Sequence, residues 1–133
     1  MIVFADTSAL LAVLDAGEDN HERVTTSWQS LLSKNNVLLT HNYVLVETLA
    51  LIQGRIGMTA VSAFVEDLLP VISLQWVDDK THRASLSALL TANRRQISFV
   101  DCVSFQVMRD LGVKTAFTLD NHFKQQGFRI LPK

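Results

Sequence analysis

The sequence predicts an α/β fold: a mostly parallel five-stranded sheet covered by helices on both faces. Three observations predict it. Short apolar runs alternate with longer stretches of helical period along the whole 133-residue chain. Strands that alternate with helices are joined by right-handed crossovers, which make neighbouring strands parallel. No repeat, low-complexity stretch or linker interrupts the pattern. Residues 1–133 therefore read as a single domain, long enough to bury roughly two-thirds of its unfolded surface.

Residues 2–5 (Ile-Val-Phe-Ala) form the first buried strand, followed by a short helix over 8–14. Residues 21–33 form a second helix, with Val24, Trp28, Leu31 and Leu32 on one face. Asn35 and Asn36 break it, and 37–40 is the next strand. A helix over 42–53 ends at Gly54, and another over 59–69 stops at Pro70. Residues 71–77 are the third strand. An amphipathic helix covers 79–93, and a further helix over 99–111 is closed by Gly112 as its C-cap. Residues 114–119 and 128–131 are the last two strands.

Composition narrows the class. Hydrophobic residues make up 48% of the chain and mean hydropathy is positive, which leaves apolar surface for a partner chain to cover. A net charge of −1 gives no global attraction for a polyanion, so any nucleic acid must be held by a local basic patch and metal ions. The single cysteine, Cys102, cannot form an internal disulfide. It reads as a small core residue of a protein in a reducing cytoplasm rather than as a nucleophile. Asp6 interrupts the opening apolar run and no basic residue precedes it, which argues against a signal peptide. No segment is long enough to span a bilayer.

Four carboxylates stand in apolar surroundings with no lysine or arginine beside them: Asp6, Glu47, Asp101 and Asp120. Burying a carboxylate costs several kcal/mol unless something compensates it. Three of them have local explanations. Asp6 sits where a helix N-cap would, Asp101 follows Ser98 at capping-box spacing, and Asp120-Asn121 suits an Asx turn. Glu47 has none. Its neighbours three and four residues away are Tyr43, Val44, Ala50 and Leu51, so its helix reads as apolar all round and buried.

In a parallel sheet, ligands bind beyond the carboxyl ends of the strands, where strand order reverses. Asp6 and Asp120 follow the first and fourth strands, Asp101 opens a helix, and Glu47 lies about two helical turns past the second strand. The four are therefore expected to converge there and to be neutralised together by a divalent cation. Oxygen ligands of this kind suit Mg²⁺ or Mn²⁺, and the matching chemistry is phosphodiester hydrolysis. Zinc is disfavoured, because His21, His41, His82 and His122 are scattered and read as surface or structural residues. Arg94 and Arg95, in the polar break before Ser98, are the candidate grip on a nucleic-acid phosphate, ahead of Arg55 and Arg83. Trp28 and Trp76 read as core residues.

These residues resemble the PIN-domain ribonucleases, and among them the VapC-type toxins of prokaryotic toxin–antitoxin pairs. The resemblance spans essentially the whole chain. It rests on Asp6-Thr7-Ser8-Ala9-Leu10, on Val46-Glu47-Thr48-Leu49, and on Ser98-Phe99-Val100-Asp101. Thr118-Leu119-Asp120-Asn121-His122-Phe123 follows, and Gly127-Phe128 leads into the last strand. It implies a three-layer α/β/α sandwich with sheet order 3-2-1-4-5. The implied activity is Mg²⁺- or Mn²⁺-dependent endoribonuclease cleavage of structured RNA. Asp6 would be shared between metals, Glu47, Asp101 and Asp120 would complete the shell, and Ser8 and Thr118 would orient ligands or water. A homodimer and a small antitoxin that blocks the active site are implied as well. A housekeeping PIN nuclease of RNA processing is the alternative within the family. A phosphoacceptor receiver on a doubly wound scaffold is the alternative outside it, disfavoured because Asp6 has no acidic neighbour and 71–77 carries no aspartate.

Overall fold

In the computed structural model, which describes residues 1–133, five strands form one sheet. They are β1 (Ile2–Ala5), β2 (Val37–His41), β3 (Ile72–Gln75), β4 (Thr115–Phe117) and β5 (Arg129–Leu131). Their order is β3-β2-β1-β4-β5 and every pairing is parallel, as the resemblance implied. Val3, Phe4 and Ala5 of β1 are all fully buried, although successive residues point to opposite faces. The sheet is therefore covered on both sides at its centre, which explains why β1 reads as a continuous apolar run rather than an alternating one.

Seven helices flank the sheet: α1 (Thr7–Leu14), α2 (His21–Ser33), α3 (Asn42–Arg55), α4 (Met58–Ala63), α5 (Asp79–Ala92), α6 (Phe99–Leu111) and α7 (His122–Gln125). Gly112 closes α6 in the left-handed conformation at φ 68°, as its position suggested. Gly54 does not end α3. The helix runs on to Arg55 and breaks at Gly57, whose φ of 111° is open to glycine far more than to other residues. The helix expected over 59–69 is three pieces: α4, a π-helical turn over Phe64–Leu68, and a 3-10 turn over Leu69–Val71. Pro70 stands in the first turn of that last piece, where its missing N–H leaves no bond unmade.

Two features place the functional edge. Ala5 pairs with Phe117, and the Asp6 N–H donates to the Phe117 carbonyl at 3.0 Å. The ends of β1 and β4 thus lie side by side at the point where strand order reverses. Phe123 of α7 is fully buried against Phe4 and Phe105, with ring centroids 6.2 and 5.0 Å away. This anchor holds the turn carrying Asp120 against the sheet. Trp28 packs on Phe117 in the core, whereas Trp76, expected there too, is exposed at the end of β3.

Candidate active site

Asp6 occupies the N-cap position of α1 but makes no capping hydrogen bond. Its Oδ2 instead accepts from Ser8 Oγ and Thr118 Oγ1, each at 2.8 Å. Each hydroxyl also accepts a backbone N–H: Leu119 N donates to Ser8 Oγ at 3.0 Å, and Asp120 N to Thr118 Oγ1 at 2.9 Å. A hydroxyl has one proton, so both protons are committed to Asp6. The N-cap explanation of Asp6 therefore fails. Its carboxylate is held by Ser8 of its own helix and by Thr118, which directly follows β4. Burial pushes the Asp6 carboxyl up to about 6. The two hydroxyl bonds oppose that rise, and the charges of Asp101 and Asp120 add to it.

Asp101 is the third residue of α6, and here the local explanation holds. Its Oδ2 accepts from the Ser98 N–H at 3.1 Å while Ser98 Oγ accepts from the Asp101 N–H at 3.0 Å, a complete capping box. Burial raises its carboxyl, Ser98 lowers it, and Asp120 raises it again. Asp120 is half-buried in an Asx turn, its Oδ1 accepting from the His122 N–H at 2.9 Å. The neighbouring thiol of Cys102 is buried and pushed up by desolvation and then by Asp101, which suits an inert core residue.

Glu47 projects from α3 into the same cleft. A cavity of about 340 Å³ is lined by Asp6, Thr7, Ser8, Leu11, Glu47, Leu51, Arg55, Asp101 and Asp120. All four predicted acids meet there. Glu47 itself is half-buried rather than sealed in, because α3 leaves part of its apolar surface open: Val46, beside it, is 65% exposed. The apolar sequence of α3 marks an uncovered helix face, not a helix buried all round. A larger groove of about 810 Å³ along α2 has no such convergence. Its acids Asp19 and Glu22 share it with Arg23, Lys34 and Lys133.

Arg55 is the one cation lining the acidic cleft. Glu47, Leu51 and Arg55 are spaced by four residues along α3 and so share one face. Ending the helix at Gly54 hid this relation in the sequence. Arg94 and Arg95 lie in the exposed turn between α5 and α6 and do not line the cleft. Among the histidines, His41 is fully buried, its Nδ1 accepting from the Tyr43 and Val44 N–H groups and its Nε2 lying 2.9 Å from Ser104 Oγ. His122 is different. Its Nδ1 is 2.8 Å from Asp120 Oδ1, yet that buried nitrogen has no aligned hydrogen-bond partner.

The donor set fits a hard divalent cation. Ligand atoms of Asp101, Asp120 and His122 all lie within 4.8 Å of one another, with Asp6 and Glu47 on the walls of the same cleft. No lysine or arginine comes within 4.0 Å of any of the four acids, since the only ion pairs are Arg83–Asp79 and His122–Asp120. Their charge is left for a ligand to balance.

Comparison with known proteins agrees with this geometry. The PIN domain family profile matches residues 3–129. The 23S rRNA-specific endonuclease VapC20 of Mycobacterium tuberculosis is 34% identical over 128 residues, covering 96% of this chain and 95% of that protein. The crystal structure of M. tuberculosis VapC20, described as a sarcin-ricin loop cleaving toxin, superposes with a TM-score of 0.84 at 33% identity, covering 96% of both chains. VapBC2 from Rickettsia felis, bound to a DNA fragment from its promoter, shares the fold at a TM-score of 0.72 and 14% identity, covering 98% of this chain and 97% of that one. FitAcB from Neisseria gonorrhoeae does so at 0.69 and 16%, covering 98% and 96%. With the sheet order, the acidic cleft and these matches in agreement, the chain belongs to the PIN-domain family, among its VapC-type toxins.

Proposed function

We propose that this protein is a Mg²⁺- or Mn²⁺-dependent endoribonuclease that acts as the toxin of a type II toxin–antitoxin pair. The observation that carries the reading is the meeting of Asp6, Glu47, Asp101 and Asp120 in one cleft with no lysine or arginine paired to any of them. Asp101 and Asp120 would hold the cation, with Asp6 and Glu47 completing the shell. A bound divalent ion supplies Lewis acidity and an acidified water for attack on phosphorus. Ser8 and Thr118 fix the Asp6 carboxylate in one orientation and keep it able to accept rather than donate. Arg55, which lines the cleft, would meet a non-bridging phosphate oxygen of the bound strand. Arg94 and Arg95, farther out, would meet flanking backbone.

Likeness to a 23S rRNA-specific endonuclease over nearly the whole chain makes the sarcin–ricin stem-loop the first substrate to test. The exposed apolar residues, among them Val46 and Leu90, support a second copy of this chain and an antitoxin as partners. No helix is long and apolar enough to cross a membrane, and the lone buried thiol suits the cytoplasm. The test is incubation of ribosomes and of protein-free RNA with the purified protein in Mn²⁺, Mg²⁺ or EDTA, with cleavage mapped by primer extension. A single metal-dependent cut in the stem-loop is expected. Metal-independent cutting, or none in any RNA from a folded protein, would contradict the reading.

A further inference from the structure

We propose that His122 supplies a nitrogen ligand, through Nδ1, to the divalent cation held by Asp101 and Asp120. The inference rests on reading the acidic cleft as a metal centre and adds to it a ligand of different chemistry. Three observations point to it. First, Nδ1 is buried and has no hydrogen-bond partner, an arrangement that costs about 1–3 kcal/mol if nothing satisfies it. Second, it lies 2.8 Å from Asp120 Oδ1 without the alignment of a hydrogen bond. Two ligands at right angles on an ion with bonds of about 2.1 Å sit roughly 3 Å apart, so this separation suits two atoms that share an ion. Third, Asp101, Asp120 and His122 each offer one ligand atom, and these three atoms lie within 4.8 Å of one another, so the three donors gather about one position.

The local structure holds the ring there. The Asp120 carboxylate accepts the His122 backbone N–H, and Phe123, the next residue, is locked in the core. His122 is not itself a wall of the cavity but joins the site through its donor cluster with Asp101 and Asp120, and His41 uses both ring nitrogens elsewhere. An imidazole adds more to the binding of Mn²⁺ than of Mg²⁺, which prefers oxygen and keeps its waters. His122 therefore tilts the site toward Mn²⁺.

The test is electron spin-echo spectroscopy of the Mn²⁺-loaded full chain, which detects a directly bound ¹⁴N, together with Mn²⁺ and Mg²⁺ titrations of wild type, His122→Asn and Asp101→Asn. The wild type should show the nitrogen coupling, and His122→Asn should lose it. In that variant Mn²⁺ affinity should fall roughly tenfold or more while Mg²⁺ affinity changes by no more than about threefold. Mn²⁺ binding that Asp101→Asn weakens but that shows no nitrogen coupling would overturn the His122 assignment alone. So would coupling that persists in folded His122→Asn. Absence of Mn²⁺ binding in the wild type would overturn the metal centre and this inference together. The wild-type spectrum decides the matter even if His122→Asn fails to fold.

Discussion

Asp6 and His41 stand at corresponding places, each at the carboxyl end of a neighbouring parallel strand and each at the N-cap position of the helix that follows. They behave in opposite ways. His41 caps α3 with Nδ1, bonds Ser104 with Nε2, and is fully buried with both ring nitrogens satisfied. Asp6 leaves its helix uncapped and is held by Ser8 of that helix and by Thr118 from the neighbouring strand's end, both on one oxygen. One residue completes the fold, and the other is oriented for something outside it. A strong helix-capping residue that does not cap is thus a candidate functional residue. Asp101 lies between the two, because one side chain closes a capping box and also lines the cleft.

The sharpest break in this comparison is Asp6→Asn. It should lower RNA cleavage by roughly 10²–10³-fold, the scale of losing one preorganised electrostatic group. The metal-free protein should keep or raise its Tm, because repulsion with Asp101 and Asp120 falls. His41→Ala should do the reverse. Losing a cap, removing one of the two hydrogen bonds of Ser104 and leaving a cavity should cost about 2–4 kcal/mol in urea denaturation, while the protein that remains folded still binds Mn²⁺.

Acidity separates the two residues by sign. Burial lifts Asp6 from 3.8 to about 6, so it holds its proton more tightly when folded. Its contribution favours the folded state at low pH and is lost as pH rises through about 6, by up to about 3 kcal/mol. Burial lowers His41 from 6.5 to about 4, so its contribution is present above 6.5 and is lost as pH falls toward 4, by a similar amount. In the metal-free wild type the two oppose each other between pH 4 and 6. Asp6→Asn should therefore gain stability over the wild type at pH 7 and lose that advantage by pH 4, as urea titrations at both pH values would reveal. Because a cation binds the ionised carboxylate, Mn²⁺ affinity of the wild type should climb through about pH 6.

Arg55→Gln should have the smallest effect. It should raise KM a few-fold at unchanged Tm and reduce the salt dependence of RNA binding by about one unit of log–log slope, the signature of one phosphate contact.

Much of the fold was legible because its signals are local and redundant. The first strand is apolar at every position, Ser98 and Asp101 form a capping box at their sequence spacing, and Gly112 closes α6. What escaped depended on competition between weak and strong terms. A glycine inside a helix costs about 1 kcal/mol, too little to stop α3 at Gly54, and the real break at Gly57 follows Ile56 with no proline to announce it. That misplaced end concealed Arg55 on the face of Glu47. The apolar sequence around Glu47 suggests a buried helix, but composition cannot distinguish a buried helix from one with an open face, and Val46 lies open. His122 carries no sequence signal, because metal-binding histidines announce themselves by paired spacing, whereas here the neighbours are carboxylates from another helix and an adjacent turn.

The most direct measurement is RNA cleavage in Mn²⁺ by Asp6→Asn and His41→Ala, each compared with the wild type per folded molecule, with Tm recorded for all three. Asp6→Asn should be folded and inactive, and His41→Ala should be destabilised but active. Full Mn²⁺-dependent activity in Asp6→Asn, or equal loss of activity in both variants per folded molecule, would contradict the division between a capping edge and a catalytic one.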